Sequence, residues 1–480
     1  MSEIPGYQTP GVYVQQAPTP IITNAVLSST PNILFLAYAA TLPTSNQNDT
    51  FLFTSLSGVQ TFTLTQSGAI SNFSLTNSLT GSPLISGTNY SGPSTISGIT
   101  TFTTISGSNF VANSTYLQAS YSYTTVSSGQ LYTFSDYNSV VNVFGQPFVY
   151  SGSTPIINSP ASLAAFVAFQ NGAPQVSLYN IVSASGSAVD FLTTIQSFVG
   201  TDSFDVVVPL VYDTAYNSTY TGPLFKGLEQ FLNAQANNGI FQRAFIGLDS
   251  SAPVSSNIPI TIANDMNSSR VSVVSLPTIN YNPGFNSANG TTAGVISING
   301  YYAAAALAGL WASQAPQIPL TNEPVAGFAG IPNQINSSQE TTLQSYGVLV
   351  VAQKRNGAIY VRHGLTTNTS NWLTQEISIS TIGDYVAKNF KQNFVNSNLI
   401  GTALTPTTMG AINSLTVGIL NDLKTVGVIQ GYTQVNIVQD PNNATRVLVS
   451  FLYSPTVPLN YINVTIAINT ANGAFTVTSA

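Results

Sequence analysis

The sequence predicts an α/β core, mainly a parallel sheet with helices on both faces. It adds an inserted all-β domain, an α+β C-terminal domain, and extended N- and C-terminal arms. Three observations predict this. After "FSDYNSVVNVFG" (134–145), apolar strands alternate strictly with helical segments, the pattern of a doubly wound sheet. Between 51 and 126 charge nearly vanishes, and short Thr/Phe/Leu/Ile alternations are broken by Ser-Gly and Asn turns. In the last hundred residues two amphipathic helices precede two strands.

The arm comes first, at residues 1–25. In "QTPGVYVQQAPTPI" (8–21) the pentad Gly11–Gln15 sits between Pro10 and Pro18, which exclude a helix and suit a sheet edge. Alone such a strand is marginal in water, so Val12, Tyr13, Val14 and Gln15 need another sheet to join. "NILFLAYAA" (32–40) is a continuous apolar run between Pro31 and Pro43, a buried strand. It opens an α/β core that spans 26–50 and 127–372. The β texture of 51–126 interrupts this unit, as an insertion would.

Within the core, "SPASLAAFVAFQNG" predicts a helix ended by Gly172, and "QVSLYNIV" a strand. "SAVDFLTTIQSFVG" then predicts a helix, "FDVVVPLVY" a strand, "GPLFKGLEQFLNAQANNG" a helix and "QRAFIGLD" a strand. "PITIANDMNSS" follows as a short helix, "RVSVVSLP" as a strand, and "ISINGYYAAAALAGLWASQ" as a long buried helix. After a looser stretch (316–335), "YGVLVVAQKRNGAIYVRHGL" predicts a hairpin turning at Asn356-Gly357.

The C-terminal domain covers 373–470. In "IGDYVAKNFKQNF" the residues Ile382, Val386, Phe390 and Phe394 form an apolar stripe opposite Asp384, Lys388 and Lys391. The next helix has Thr405 as N-cap, Pro406 in its first turn and Gly427 past its end. "RVLVSFLYS" (446–454) and "YINVTIAIN" (461–469) are strands. Asn472-Gly473 turns into a linking strand at 471–480 that includes Phe475, Thr476 and Val477.

Composition narrows the function. Charged residues make up 5% of the chain, against about 25% in an average soluble protein. Ser, Thr, Asn, Gln and Tyr must therefore hydrate the surface. With 10 Lys+Arg and a net charge of −6, the chain lacks the clustered cations that nucleic acid requires. No cysteine is present, so disulfides and thiolate metal sites are excluded. "MSEIPGYQTPG" has neither the basic start nor the apolar run of a signal peptide, and "YYAAAALAGLWA" (301–312) is too short to span a bilayer. The expectation is a soluble chain.

No catalytic constellation emerges. His363, next to Arg362, has no nucleophile to serve and reads as a structural or interface histidine. Asp213 and Asp249 end predicted parallel strands, where α/β enzymes place ligand groups. Without a base or lysine in view, capping the following turns is the better reading. No glycine-rich phosphate cradle occurs. The basic cluster Lys354-Arg355…Arg362-His363 suits an acidic partner or a solvated hairpin edge equally. No catalytic, metal or cofactor-binding residue is assigned, and no cofactor is expected.

Several stretches in order resemble one family. "TPGVYVQQ" resembles the N-terminal "PGVY" region of contractile phage tail sheath proteins. "SYSYTTVSSGQLYTFSDYNSVVNVFGQP" is similar to the family's exit from its inserted β-domain. "FDVVVPLVYD" and "QRAFIGLD" are similar to its sheet strands. "YYAAAALAGLWASQAPQIPLTNEPVAGFAGI" and "ETTLQSYGVLVVAQKRNGAIYVRHGLTT" are similar to its long helix and later hairpin. "DYVAKNF" with the following helix and strands resembles its C-terminal domain. The low charge content and the ending "YVRHGLTT" depart from its pattern.

The resemblance implies a structural protein of the virion tail, assembled in the host cytoplasm, with no enzymatic activity. Hexameric rings would stack helically around a tail tube in a metastable extended state, then contract to drive the tube through the host envelope. Its partners would be itself, the tail tube protein, and baseplate and tail terminator proteins, with no direct nucleic acid and no membrane insertion. Residues 12–15 and 475–477 would be inter-subunit linking strands. The insertion would face outward, and the C-terminal domain would face the tube through Asp384, Lys388 and Lys391. A virion or cell-surface adhesin or surface-layer protein is the alternative, since it too would be rich in Ser, Thr and Asn. It predicts repeated β-domains, whereas an α/β core fills the middle of this chain. An α/β hydrolase or nucleotide-binding enzyme would leave both terminal strands unexplained.

Overall fold

The computed structural model describes residues 30–38, 44–55, 58–66, 70–78, 80–96, 99–105, 112, 115–124, 129–151, 154–181, 186–213, 223–252, 257–286, 291–292, 294–460, 462, 465–469 and 475–479. The arm at 1–25, with Val12, Tyr13, Val14 and Gln15, lies outside the described residues.

A seven-stranded mixed sheet organises the molecule, in the order Val348–Leu349, Val271–Val274, Arg243–Ile246, Val206–Pro209, Asn32–Ala37, Gln175–Asn180, Leu131–Phe134. All neighbours are parallel except Leu131–Phe134, which pairs antiparallel at one edge. Because side chains alternate across a strand, the apolar runs feed two cores. Ile33, Phe35, Val206, Val208 and Phe245 face the helices Pro160–Gln170 and Tyr301–Ser313. Leu34, Leu36, Val207, Ala244 and Ile246 face Ala188–Gln196, Pro223–Asn237 and Ile258–Met266. Strands buried on both faces explain why these segments read as unbroken apolar runs.

Local chemistry sets the helix ends. Ser159 accepts from the Ser162 N–H at 3.2 Å, Pro160 enters the first turn, and Gly172 leaves at φ +87°. Thr405 accepts from the Thr408 N–H at 3.2 Å, and Gly427, at φ +78°, ends Pro406–Thr425. Tyr301–Ser313 is built of small residues because it crosses Pro160–Gln170 at close range. A Cβ on Gly309 would stand 2.4 Å from the Ala168 carbonyl oxygen.

The charge-free segment, together with the strand that enters it, forms two three-stranded antiparallel sheets. One centres on Tyr116–Thr124 between Thr44–Leu52 and Ile70–Asn77; the other centres on Ile99–Thr104 between Thr61–Thr63 and Tyr90–Ile96. Phe62 and Phe102 stack at 5.1 Å between them, with Phe53, Leu117 and Tyr121. The strand Thr44–Leu52 straddles the boundary read at 51, because its polar TSNQND run carries no apolar alternation.

Three sequence readings are corrected. Ile296–Asn299 is not the start of the long helix but a strand on Thr278–Tyr281, and the helix begins after Gly300. There a Cβ would overlap the Leu276 carbonyl, 1.7 Å away, so only glycine admits the bend. The "YGVLVV" run is divided: Val348–Leu349 extends the main sheet, and only Val351–Gln353 forms the hairpin with Ile359–Val361. The strand Ile429–Gln439, missed in the sequence, is the partner of Val447–Pro455. Register shifts after Ile429 and Thr433 break its alternation. This pair packs on Ile377–Asn396 and Pro406–Thr425 through Phe390, Leu420, Leu423 and Phe451.

Candidate functional site

The amino ends of parallel strands carry backbone N–H groups and whatever residues precede the apolar run. Here Arg243 opens one strand, Arg270 immediately precedes the next, and Asp205 precedes a third. The helix Ile377–Asn396 lies across these ends. Its stripe Ile382, Val386, Phe390 and Phe394 packs into the C-terminal core, as the i+4 spacing requires. The opposite face brings Asp384, Lys388 and Lys391 together. That face meets the sheet instead of solvent.

Asp384 is the centre of this seam. Arg270 grips it at two points, Nη2 to Oδ1 at 2.9 Å and Nη1 to Oδ2 at 3.1 Å, and Arg243 Nη2 donates to Oδ2 at 3.1 Å. The three side chains are 4–12% exposed. The Arg243 guanidinium lies 5.2 Å from the Trp311 ring centroid, and Arg270 lies 5.4 Å from that of Phe241. Burial lowers the Arg243 pKa, Asp384 opposes this, and the like charge of Arg270 adds to the lowering. A guanidinium does not deprotonate in proteins, so both cations stay charged and share the Asp384 carboxylate.

Lys388 pairs with Asp205, whose other oxygen accepts from the Asn32 N–H at 2.9 Å. Lys391 donates to the Gly239 carbonyl at 3.0 Å. Four of the chain's ten Lys+Arg are therefore spent on one internal junction. This changes the reading of the helix's polar face: Asp384 is inside the protein, and both lysines are engaged by the core. Arg243 and Arg270 were not singled out from sequence. The available signal was a cation abutting a doubly buried strand, which demands a buried acid.

The remaining candidates separate. Asp249 accepts from the Ser251 N–H at 2.9 Å, the turn-capping role expected, whereas Asp213 accepts from the Leu224 N–H at 3.0 Å, in the first turn of Pro223–Asn237 and not in the turn that follows it. His363 contacts Glu376, and Asn460 donates to Glu376 Oε1 at 2.6 Å. Arg362 pairs with Glu340, while Lys354 sits 4.8 Å from the centroid of the Tyr360 ring, so the basic cluster is divided. Phe475–Ser479 pairs antiparallel with Thr465–Asn469, setting Thr476 opposite Ile468 and Val477 opposite Ala467. Among the described residues this hairpin has no third strand. Among them, too, no group of three or more His, Cys, Asp or Glu could hold a metal, and no helix is long and apolar enough to cross a membrane.

No protein-family model matches the chain. It is 26% identical over 367 residues to the tail sheath protein of Mycobacterium phage Bxz1, a match covering 75% of this chain and 60% of that relative's length. Its fold is similar to the helical sheath of the anti-feeding prophage in the contracted state, with TM-score 0.54 and 13% identity, covering 95% of this chain and 98% of that one. It is also similar to the PVC sheath of an extracellular contractile injection system in the contracted state. There the TM-score is 0.52 at 12% identity, over 72% of this chain and 89% of the other. The chain is thus similar in sequence to a phage tail sheath protein, of which it spans 60% of the length, and similar in fold to sheath chains of contractile particles.

Proposed function

We propose that this chain is the sheath subunit of a contractile phage tail. Hexameric rings of it stack helically around a tail tube in a metastable extended state. Contraction then drives the tube through the host envelope. The observation that carries this reading is the sequence match along 75% of the chain to a phage tail sheath protein. The likeness of fold to sheath chains in contracted particles supports it.

The physical logic is that of a lattice with two packings, where one is trapped until a trigger releases it. Head-to-tail contacts that do not close produce a helical array. Subunits that rotate need links that survive the motion, and strand addition supplies them through backbone hydrogen bonds. The hairpin of Thr465–Asn469 and Phe475–Ser479 offers an outer edge for such a link. Residues 12–15 are the incoming strand in this reading. The segment 51–126 faces outward and 373–470 faces the tube. At the seam's rim Lys388 and Lys391 remain tube-facing candidates, while Asp384 is too deeply engaged to be one. The tube protein, baseplate and terminator are the partners, and the virion tail, assembled in the host cytoplasm, is the location.

Negative-stain microscopy of the purified protein tests this. Tubes or stacked rings are expected. Dispersed monomers under all conditions would sink the reading, and flat lattices would favour a surface-layer protein.

A further inference from the structure

We infer that Asn460 is a latch. It pins the strap 456–460, which follows the strand Val447–Pro455 and leads to the terminal hairpin, and its release frees the root of that hairpin while the domain stays folded. Three parts of the chain meet at one carboxylate oxygen. Asn460 Nδ2 donates to Glu376 Oε1 at 2.6 Å, and His363 Nε2 contacts the same oxygen. The two nitrogens stand 3.2 Å apart. His363 follows the hairpin strand Ile359–Val361, Glu376 precedes the helix Ile377–Asn396, and Asn460 lies 84 positions further on. The His363 and Glu376 side chains are 12% and 8% exposed, so the strap covers a buried acid.

Little else holds the strap. Thr456 is fixed at its start, its N–H donating to the Val428 carbonyl at 3.2 Å and its hydroxyl to the Gly427 carbonyl at 2.6 Å. Beyond it, Val457, Pro458 and Leu459 make no hydrogen bond among the described residues. Polarity along the strap is inverted. Leu459 is 79% and Ile462 75% exposed, while the amide oxygen of Asn460 is buried. Burial of apolar surface would choose the opposite register, so the amide contact sets it. The latched position is also incompletely satisfied: Glu376 Oε2 and Asn460 Oδ1 are buried and find no partner among the described residues. Opening returns Asn460 Oδ1 to water and relieves part of that cost. A segment with one tether, few contacts and an unsatisfied closed form opens locally, ahead of the domain. Where Thr465–Asn469 and Phe475–Ser479 are the inter-subunit link of the proposed function, on which this consequence alone rests, the latch sets the direction in which the link leaves its own domain.

The chain has no cysteine, so nitroxide pairs can be placed at will. In the full-length protein, Leu459→Cys is paired with Val426→Cys, both exposed, and the distance between labels is read by double electron–electron resonance on dilute monomer. The control pairs Val426→Cys with Leu448→Cys, in the same domain but outside the strap. A narrow distribution is expected for the strap pair in the parent. Asn460→Ala should broaden it severalfold, with the control distribution and the melting profile unchanged. Glu376→Ala, which removes the other half of the contact, should broaden the strap pair to the same extent, and adding Asn460→Ala to it should change nothing further. A strap pair that stays narrow in Asn460→Ala would overturn the latch, as would a parent distribution that is already broad. Equal broadening of the control would make Asn460 an ordinary packing residue of the domain and overturn it too. Because the measurement is made on monomer, its outcome is separate from whether rings form.

Discussion

Asp384 and Arg270, separated by 114 positions in the chain, meet in a two-point contact of 2.9 and 3.1 Å. This bidentate pair, shared with Arg243, joins the C-terminal helix to the amino ends of the main sheet. Its geometry matters because the charges are buried. Such a pair adds little net stability over apolar packing, yet losing one partner is severe.

Asp384→Asn should therefore destabilise the protein by about 3–5 kcal/mol, because two buried guanidinium groups lose the carboxylate they share. Hydrogen exchange should show lost protection in Ile377–Asn396 first. Lys424→Met, at the exposed end of Pro406–Thr425, is the control and should lie within about 0.5 kcal/mol of the parent. Equal behaviour of the two variants would show that apolar packing, not the ion cluster, holds the seam.

Gly309→Ala should cost about 1–3 kcal/mol. The added methyl would lie 2.4 Å from the Ala168 carbonyl oxygen and 2.8 Å from its Cα, both backbone atoms that cannot rotate away. Gly418→Ala, where a Cβ meets nothing within 4 Å, should instead be neutral or slightly stabilising in its helix. Denaturant midpoints of the two variants decide, and parity between them would refute the close crossing.

The β-unit should loosen in acid. Asp49 accepts from the Thr65 N–H at 2.8 Å, Gln47 at 3.0 Å and the Tyr121 hydroxyl at 2.7 Å. Burial would push its carboxyl up, but these bonds outweigh burial and hold it below the ordinary value. Its folded pKa is depressed, so its stabilisation is complete above the ordinary pKa and fades as pH falls through the lowered one. Tyr121 mirrors it: burial and Asp49 push its hydroxyl up to about 12. That contribution is full below the ordinary tyrosine value and is lost as pH rises through about 12. Protection factors of the amides in Thr44–Leu52, taken relative to the intrinsic exchange rate at each pH, should fall in acid, and Asp49→Asn should flatten the profile. An unchanged acid response in that variant would exonerate Asp49.

Removing residues 1–20 should leave a folded monomer that no longer polymerises. An added strand of four or five residues contributes several backbone hydrogen bonds of about 1 kcal/mol each, and burial of Val12 and Val14 adds ~1.5–3 kcal/mol apiece. With residues 12–15 pairing on a neighbouring subunit, the melting of the α/β core should barely shift. Native-like tubes from the truncated chain would assign residues 12–15 another role.

The sequence by itself determined the elements whose cause is local. Runs such as "NILFLAYAA" and "FDVVVPLVY" are apolar on both faces, which a doubly covered parallel strand requires. Thr405, Pro406 and Gly427 mark a helix through their own backbone chemistry. The tertiary structure decided what depends on partners distant in sequence. The polar face of Ile377–Asn396 was legible, but whether Asp384 met solvent or two arginines depended on strands more than a hundred positions away. Ile429–Gln439 escaped because its irregularities erase the period of two that marks a strand. Ile296–Asn299 joined Thr278–Tyr281 because only Gly300 fits beneath the Leu276 carbonyl, a clash that exists only once the chain has folded. Periodicity records which face of an element is buried; pairing, charge satisfaction and close approach are set by what that face meets.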